Sequence, residues 1–420
     1  MKMIRLGDVA DVYVSGVDKK TLPDELPIRL CNYTDIYYNW AIRNEMRQTF
    51  MLASAKKEEI CKFQLHAGQV VITKDSETRD DIGHSAVVVN DFEDVILGYH
   101  CALISPHANE LDGQYLNALF RVRYISDYLS RNAGGSGQRY YLSDSVIKNI
   151  PLYLPALSEQ LRIAGLLGSL DEKIELNRKK IAELETLAKT IYDYWFVQFD
   201  FPDKDGRPYK SSGGKMVWNV QLKREVPEGW EVGTIHRVSD LLVGGTPSKK
   251  ELNFWNGHIP FWGPTDYSDS IFQFYTAEHI TQAGFEHCSS DMIFENSTII
   301  TARGSIGKVA MAGVAMAMNQ SCFAFKSKDG ADVFLYYLAR QLVNHLKQTS
   351  TGSVFNAFVA SDLNNIILPL GNKFIRHSYS QMANSLFMQI KTYAQQINEL
   401  TIQRDTLLPL LMNEQVEVKA

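Results

Sequence analysis

Ile181-Ala-Glu-Leu184 returns 216 residues later as Ile397-Asn-Glu-Leu400, and each copy lies inside an apolar seam spaced four, three, four, three. The first seam runs Ile163, Leu167, Leu170, Ile174, Asn177, Ile181, Leu184, Ala188, Ile191, Trp195; the second runs Leu386, Ile390, Tyr393, Ile397, Leu400, Arg404, Leu407, Leu411. A period of 3.5 held this long makes a narrow stripe that needs a partner helix, so a coiled coil is expected. Some 40 helical residues make a rod of roughly 60 Å. Asn177 and Arg404 interrupt the seams. They are expected either to lie near one another between antiparallel arms or to reach solvent at splayed layers, and the spacing leaves both open.

The repetition reaches beyond the helices. Val71-Ile-Thr73 followed by Ile82-Gly83 answers Ile300-Thr301 followed by Ile306-Gly307, His100-Cys101 answers Ser321-Cys322, and Gly135-Ser136 answers Gly352-Ser353. Drift in the spacing is what loop insertions produce. At 420 residues a single core is too large, and the expected division is a first domain at 1–157, a heptad helix at 158–198, a linker at 199–226, a second domain at 227–377 and a final heptad helix at 378–414. Val70-Val-Ile72, Ala86-Val-Val-Val89 and Thr298-Ile-Ile-Thr301 read as strands, and Gln114–Arg131 and Val333–Gln348 as helices.

A net charge of −5, with 45% apolar and 22% charged residues, describes an ordinary folded protein and does not exclude a local phosphate-binding stripe. The five cysteines are scattered without a Cys-x-x-Cys pair, so neither a zinc site nor a disulfide framework is expected and a reducing cytoplasm is. The N-terminus shows no apolar signal core, and Val309–Phe325 falls short of the roughly 20 apolar residues of a membrane span.

Catalytic signatures are missing. Gly244-Gly-Thr-Pro-Ser-Lys-Lys250 lacks the spacing of a nucleotide-binding loop, and Asn149-Ile-Pro-Leu-Tyr153 lacks the adjacent prolines of an amino-methyltransferase motif. Asp171-Glu-Lys173 matches half a nuclease motif but reads as outward, solvated charge on a heptad helix. His66, His84, His100 and His107 have no helical metal spacing, and Asp203-Lys-Asp-Gly206 does not continue as a calcium loop. No catalysis, bound cofactor or metal is expected.

What remains is recognition chemistry: loops that mix amides, hydroxyls, aromatics and cations. In the first domain the DNA-binding candidates are Asn32, Tyr33, Tyr37, Arg43, Lys74, Ser76, Arg79, Gly135, Ser136 and Arg139. In the second they are Thr246, Ser248, Lys249, Thr265, Arg303, Ser305, Lys308, Asn319, Gln320, Gly352 and Ser353. Arg139 and Lys308 suit phosphate, and Arg79, Arg303, Asn319 and Gln320 suit base edges. The turns at Ser136 and Ser353 offer backbone N–H groups. Tyr37, Tyr38 and Trp255 are expected to pack more than to stack on bases.

Leu157-Ser-Glu-Gln160, Leu170-Asp-Glu-Lys-Ile174, Trp195-Phe196, Phe199-Asp-Phe-Pro202 and Pro208-Tyr-Lys-Ser-Ser-Gly-Gly-Lys-Met216 together resemble the central region of type I restriction–modification specificity subunits. Pro227-Glu-Gly-Trp230, Gly245-Thr-Pro-Ser248, Phe254-Trp-Asn-Gly257, Ile259-Pro-Phe-Trp262, Ile306-Gly-Lys308 and Asn319-Gln-Ser321 resemble their target-recognition domains. The first domain departs most: it shows no counterpart of Ile259-Pro-Phe-Trp262, and its Gly134–Tyr141 turn is atypical.

The resemblance implies an α+β fold of two homologous, largely β recognition domains joined by two long helices in an antiparallel coiled coil. It implies that each domain reads half of a bipartite asymmetric double-stranded DNA target, and that helix length sets the gap. It also implies docking of two methyltransferase (modification) subunits, which bind S-adenosylmethionine themselves, and of restriction (translocase) subunits that use ATP and Mg. No membrane is involved. A rival reading is a coiled-coil adaptor with two protein-binding heads and no DNA; others are a fused methyltransferase or nuclease, and seams that pair between chains.

Overall fold

Val70-Val-Ile-Thr73 and Thr298-Ile-Ile-Thr301 are continuous β-branched runs, the composition of a strand covered on both faces. A computed structural model describes residues 2–268, 270–349, 357–413, 415–416 and 418, and in it each run is a wholly buried strand inside a five-stranded sheet. The chain divides into two units, Met1–Ile174 with Glu399–Ala420 and Glu175–Asn398.

In the first unit the sheet order is Ala10–Val14, Cys101–Pro106, Val70–Thr73, Ser85–Val88, Ala41–Ile42. Alternation along the strands sends side chains to opposite faces. Val70, Ile72 and Val87 meet Leu116, Leu119, Ile125 and Leu129 from the covering helices, whereas Val71, Ala86 and Val88 meet Ile28, Leu30 and Leu97 of a second sheet. That second sheet orders Met51–Ala55, Leu26–Cys31, Val95–Leu97.

The second unit repeats the plan. Its five strands run Ser239–Val243, Cys322–Ser327, Thr298–Thr301, Val309–Ala312, Phe272–Gln273, and its three run Glu278–Ile280, Trp255–Trp262, Ala317–Met318. Register makes the equivalence explicit. Thr73 pairs with Cys101 and Thr301 with Cys322; Leu30 pairs in parallel with Ile96 and Phe261 with Ala317.

Three expectations are corrected here. Leu26–Cys31 is the first unit's counterpart of the strand that ends in Ile259-Pro-Phe-Trp262, and each is followed by the same cap: Asp35 Oδ2 accepts the Asn32 N–H at 2.7 Å, and Asp266 Oδ2 the Gly263 N–H at 2.8 Å. Side-chain identity hid what backbone pairing preserves. Instead of one helix over 114–131 there are two, Gly113–Leu119 and Arg123–Asn132. Phe120 and Val122 are both buried, and a continuous helix would turn residues two apart to opposite faces. The last helix starts at Lys373, earlier than 378, because Asn372 Oδ1 accepts the Ile375 N–H at 2.9 Å.

The first long helix is Leu157–Tyr192, extended by a π turn at Asp193–Val197, and the last is Lys373–Met412. Within the second unit they pack antiparallel: Asn177 Nδ2 donates to Gln396 Oε1 at 3.1 Å, Lys180 lies over the Tyr393 ring at 5.1 Å, and the Tyr379 hydroxyl donates to the Ala188 carbonyl at 3.1 Å. Within the first unit they also descend antiparallel, from the Arg404–Asp171 pair at 3.6 Å to Arg162, which donates to the Val418 carbonyl at 3.4 Å.

The seam is wider than a strict heptad. Ile163, Leu167, Ile174, Asn177, Ile181 and Ile390 are buried as read, but Leu170, Leu184, Ile191, Leu386, Tyr393, Ile397, Leu400 and Leu407 are only half-buried. Ala164, Tyr192, Phe387, Ala394 and Leu408 are buried in addition, because the part of each helix inside a unit also packs on that unit's core, Ala164 and Leu408 in the first and the other three in the second. Asp171 corrects the reading of a solvated triplet: its side chain is 4% exposed and pairs with Arg43 and Arg404. Both polar seam residues therefore have partners inside their own unit. The stretch 199–226 is packed rather than open, with the Phe199 and Phe201 rings 5.3 and 5.1 Å from Trp230 and a hairpin of Met216–Asn219 with Arg224–Pro227.

Candidate nucleic-acid interface

In each unit a polar loop leaves the sheet at an equivalent threonine. Thr73 Oγ1 accepts the His84 N–H at 3.0 Å and the Thr73 carbonyl accepts the Gly83 N–H at 3.1 Å. Thr301 Oγ1 accepts the Lys308 N–H at 3.0 Å and its carbonyl the Gly307 N–H at 2.9 Å. Gly83 and Gly307 close the loops at φ of 84° and 74°, which other residues adopt only with strain.

In the first unit the loop strand Asp75–Ser76 pairs with Arg139–Tyr141, which pairs in turn with Gly134–Ser136. Together with the short helix Tyr33–Tyr37 they enclose a cleft of about 580 Å³. Tyr33, Tyr37, Ser76 and Arg139 of the candidates line it, joined by Tyr38, expected to pack, and by Asp75, Glu77, Asp81, His100 and Gln138, which are not among the candidates.

The cleft is held by charge-assisted bonds. Asp81 Oδ1 accepts from the Tyr37 hydroxyl at 2.8 Å and lies 2.7 Å from His84 Nε2, while Asp75 Oδ2 accepts from Lys74 Nζ at 2.9 Å and lies 2.8 Å from His100 Nδ1. Burial works to raise the Asp81 carboxyl, but the His84 and Tyr37 hydrogen bonds outweigh it and hold the group below its ordinary value. The same bond to Asp81 pushes the Tyr37 phenol up. Tyr37 thus packs, whereas Tyr38 is 78% exposed at the rim, against the expectation that it packs.

The remaining first-unit candidates are distributed elsewhere. The Asn32 N–H meets the Asp35 cap described above, Lys74 is tied to Asp75, and Arg43 is engaged with Asp171. Arg79 lies over the Tyr140 ring at 5.2 Å. Gly135, at φ of 97°, and exposed Ser136 form the hairpin strand; a Cβ on Gly135 would meet the Arg139 carbonyl oxygen at 2.1 Å.

In the second unit Arg303, Ser305 and Lys308 are exposed on the loop, with Lys308 over the Tyr267 ring at 4.8 Å. Thr265 and Gln320 are exposed nearby in sequence to strand ends, and Thr246 donates to Gln320. Asn319 is a turn former, its Oδ1 accepting the Ser321 N–H at 3.0 Å. Lys249 pairs with Glu278 and covers the Trp255 ring at 4.2 Å, while Trp255 Nε1 donates to the Ser248 carbonyl at 3.0 Å, so Trp255 packs. Gly352 and Ser353 lie outside the described residues. A cavity of about 250 Å³ gathers Lys308 with Arg340 and Lys347, two cations on a helix whose sequence signal is its apolar face and which are not among the candidates. Glu185 lines it too, its carboxyl raised by burial against the opposing pull of Arg340. Among the described residues no group of three or more His, Cys, Asp or Glu could hold a metal ion, and no helix is long and apolar enough to cross a membrane.

Comparison with known proteins meets this duplicated geometry directly. The family model of the type I restriction modification DNA specificity domain matches residues 1–186 and again 227–401. The chain belongs to this family. It is a DNA specificity subunit of a type I restriction–modification system, with one specificity domain in each match. Similar relatives include the specificity subunit of the type I restriction enzyme MjaIX of Methanocaldococcus jannaschii, 25% identical over 404 residues that cover 95% of this chain and 87% of the relative. The HindI specificity subunit of Haemophilus influenzae is 22% identical and covers 99% of both chains. The crystal structure of the S subunit from M. genitalium superposes at a TM-score of 0.58 with 14% identity, covering 98% of this chain and 95% of the other, which establishes a shared fold. As a specificity subunit the chain has a role for two polar loop sets on equivalent scaffolds.

Proposed function

We propose that each unit of this specificity subunit reads one half of a bipartite, asymmetric DNA target, and that the antiparallel helices set the unread gap. The observation that carries this reading is the duplicated sheet order, from which equivalent strands deliver loops of different side chains. Identical scaffolds bearing different loops suit two different short sequences, since bases are read by side chains at groove edges while scaffold and phosphate contacts only position them.

On this reading the chain performs no chemistry. Two modification subunits dock on it in the cytoplasm and methylate an adenine in each half with S-adenosylmethionine that they hold. Restriction subunits join with ATP and Mg. Exposed apolar side chains along the long helices, such as Leu161, Leu176 and Leu187, suit such docking. Single-molecule methylome sequencing of cells carrying this chain with its partner subunits tests the proposal. Two short methylated half-sites separated by a constant gap are expected; a contiguous motif, or none, would refute it.

A further inference from the structure

Loops that leave the sheet at equivalent positions carry opposite charge in the two units. Lys74–Asp81 contains two cations and four carboxylates, whereas Ala302–Lys308 contains two cations and no carboxylate. The match is residue by residue at the strand exit. Leu142 N–H donates to the Lys74 carbonyl at 2.8 Å and Phe358 N–H to the Ala302 carbonyl at 3.2 Å; Tyr141 then pairs with Asp75, and Ala357 with Arg303. Asp75 and Arg303 therefore occupy the same place on the duplicated scaffold.

Their surroundings differ in the same sense. Asp75 is held by Lys74 and His100 through one oxygen, and beside it Glu77 is exposed on the open cleft with no partner for its carboxylate among the described residues. Arg303 is exposed, and no side-chain partner is found for its guanidinium among the described residues. Glu77, two residues beyond the position equivalent to Arg303, and Arg303 itself are thus polar groups presented free on equivalent loops and available for a base edge. Major-groove edges differ in sign: guanine offers two acceptors, which a guanidinium matches bidentately, while cytosine offers a single amino donor, which a carboxylate matches and guanine repels.

Resting on the half-site reading above, we propose that this equivalent loop, through Arg303 in one unit and Glu77 in the other, sorts the base class read by each unit. Arg303 donates to a guanine in the half-site of the second unit, and Glu77, beside the equivalent Asp75, accepts from the amino group of a cytosine in the half-site of the first. The half-sites differ in sequence because the loops differ in charge.

The test is methylome sequencing of cells expressing wild type, Glu77→Gln or Arg303→Ala with the partner subunits. Glu77→Gln is expected to lower the preference for cytosine at one position of one half-site by roughly 5- to 100-fold and to favour adenine there, because an amide both donates and accepts. Arg303→Ala is expected to relax a guanine by a similar factor in the other half-site. In each variant the untouched half-site and the gap stay unchanged, which also reports a folded, assembled complex. Glu77→Ala and Arg303→Gln carry the same test where a first variant fails to assemble. A split wild-type motif with variants that change no position, or that weaken every base evenly, would overturn this assignment alone. A wild-type complex that marks no split motif would overturn the half-site reading and the assignment with it.

Discussion

Asp171 shows how a residue's neighbours, not its type, decide its work. Its carboxylate is buried between Arg43 and Arg404, joining the recognition domain of the first unit to both long helices. Removing one member of a buried ion pair leaves uncompensated charge, so Asp171→Asn is expected to destabilise the first unit by about 3 kcal/mol in urea unfolding. Replacing all three with leucine and methionine should recover most of that. A loss below about 0.5 kcal/mol for the single change would mean the pairs behave as solvated surface contacts. Asp332 gives a pH signature in the second unit. Burial, with Asp329 adding to it, pushes its carboxyl up from 3.8 to about 6. The folded-state value lies above the unfolded one, so stability falls as pH rises through that window and is unaffected below it. Asp332→Asn is expected to leave unfolding at pH 3 unchanged and to raise stability at pH 7 by about 1–2 kcal/mol, read as the shift in urea midpoint at the two pH values.

The long helices combine two packing duties. A strict heptad stripe faces one partner, but Phe387 and Ala394 are also buried on the core of the second unit and Leu408 on that of the first. The seam was legible in the sequence as a period; its breadth was not, since breadth depends on what else the helix touches. The same limit explains Asp171, whose Arg43 partner is 128 residues away in the chain. For the proposed ruler the prediction is quantitative. Inserting one heptad at matching levels of both arms, beside Ile174 and near Leu400, keeps the stripes in phase and adds about 10 Å of helix. The unread gap is then expected to grow by about three base pairs with both half-sites intact, as methylome mapping would report. A gap that stays constant would break the link between helix length and target spacing.

At the scale of the whole molecule the chain is one recognition plan written twice. Matching strand orders and capping aspartates, Asp35 and Asp266, survive where side-chain identity has drifted away. Modularity follows. Exchanging residues 1–150 for the corresponding domain of another specificity subunit is expected to change one half of the methylated motif and leave the other half and the gap as they were. A change in both halves would show that the loops are read jointly.

Periodicity and repetition, which are local and survive in one dimension, sufficed for the duplicated organisation and the paired helices, and the family came from the resemblance of the central and second-domain motifs. Strand pairing was another matter. Leu26–Cys31 could be matched to Trp255–Trp262 only through hydrogen-bond register, and the cleft assembled Tyr38, Glu77 and Gln138 from three separate segments. A side chain's partners lie across the fold, so which loop groups remain free to meet DNA was decided by tertiary packing.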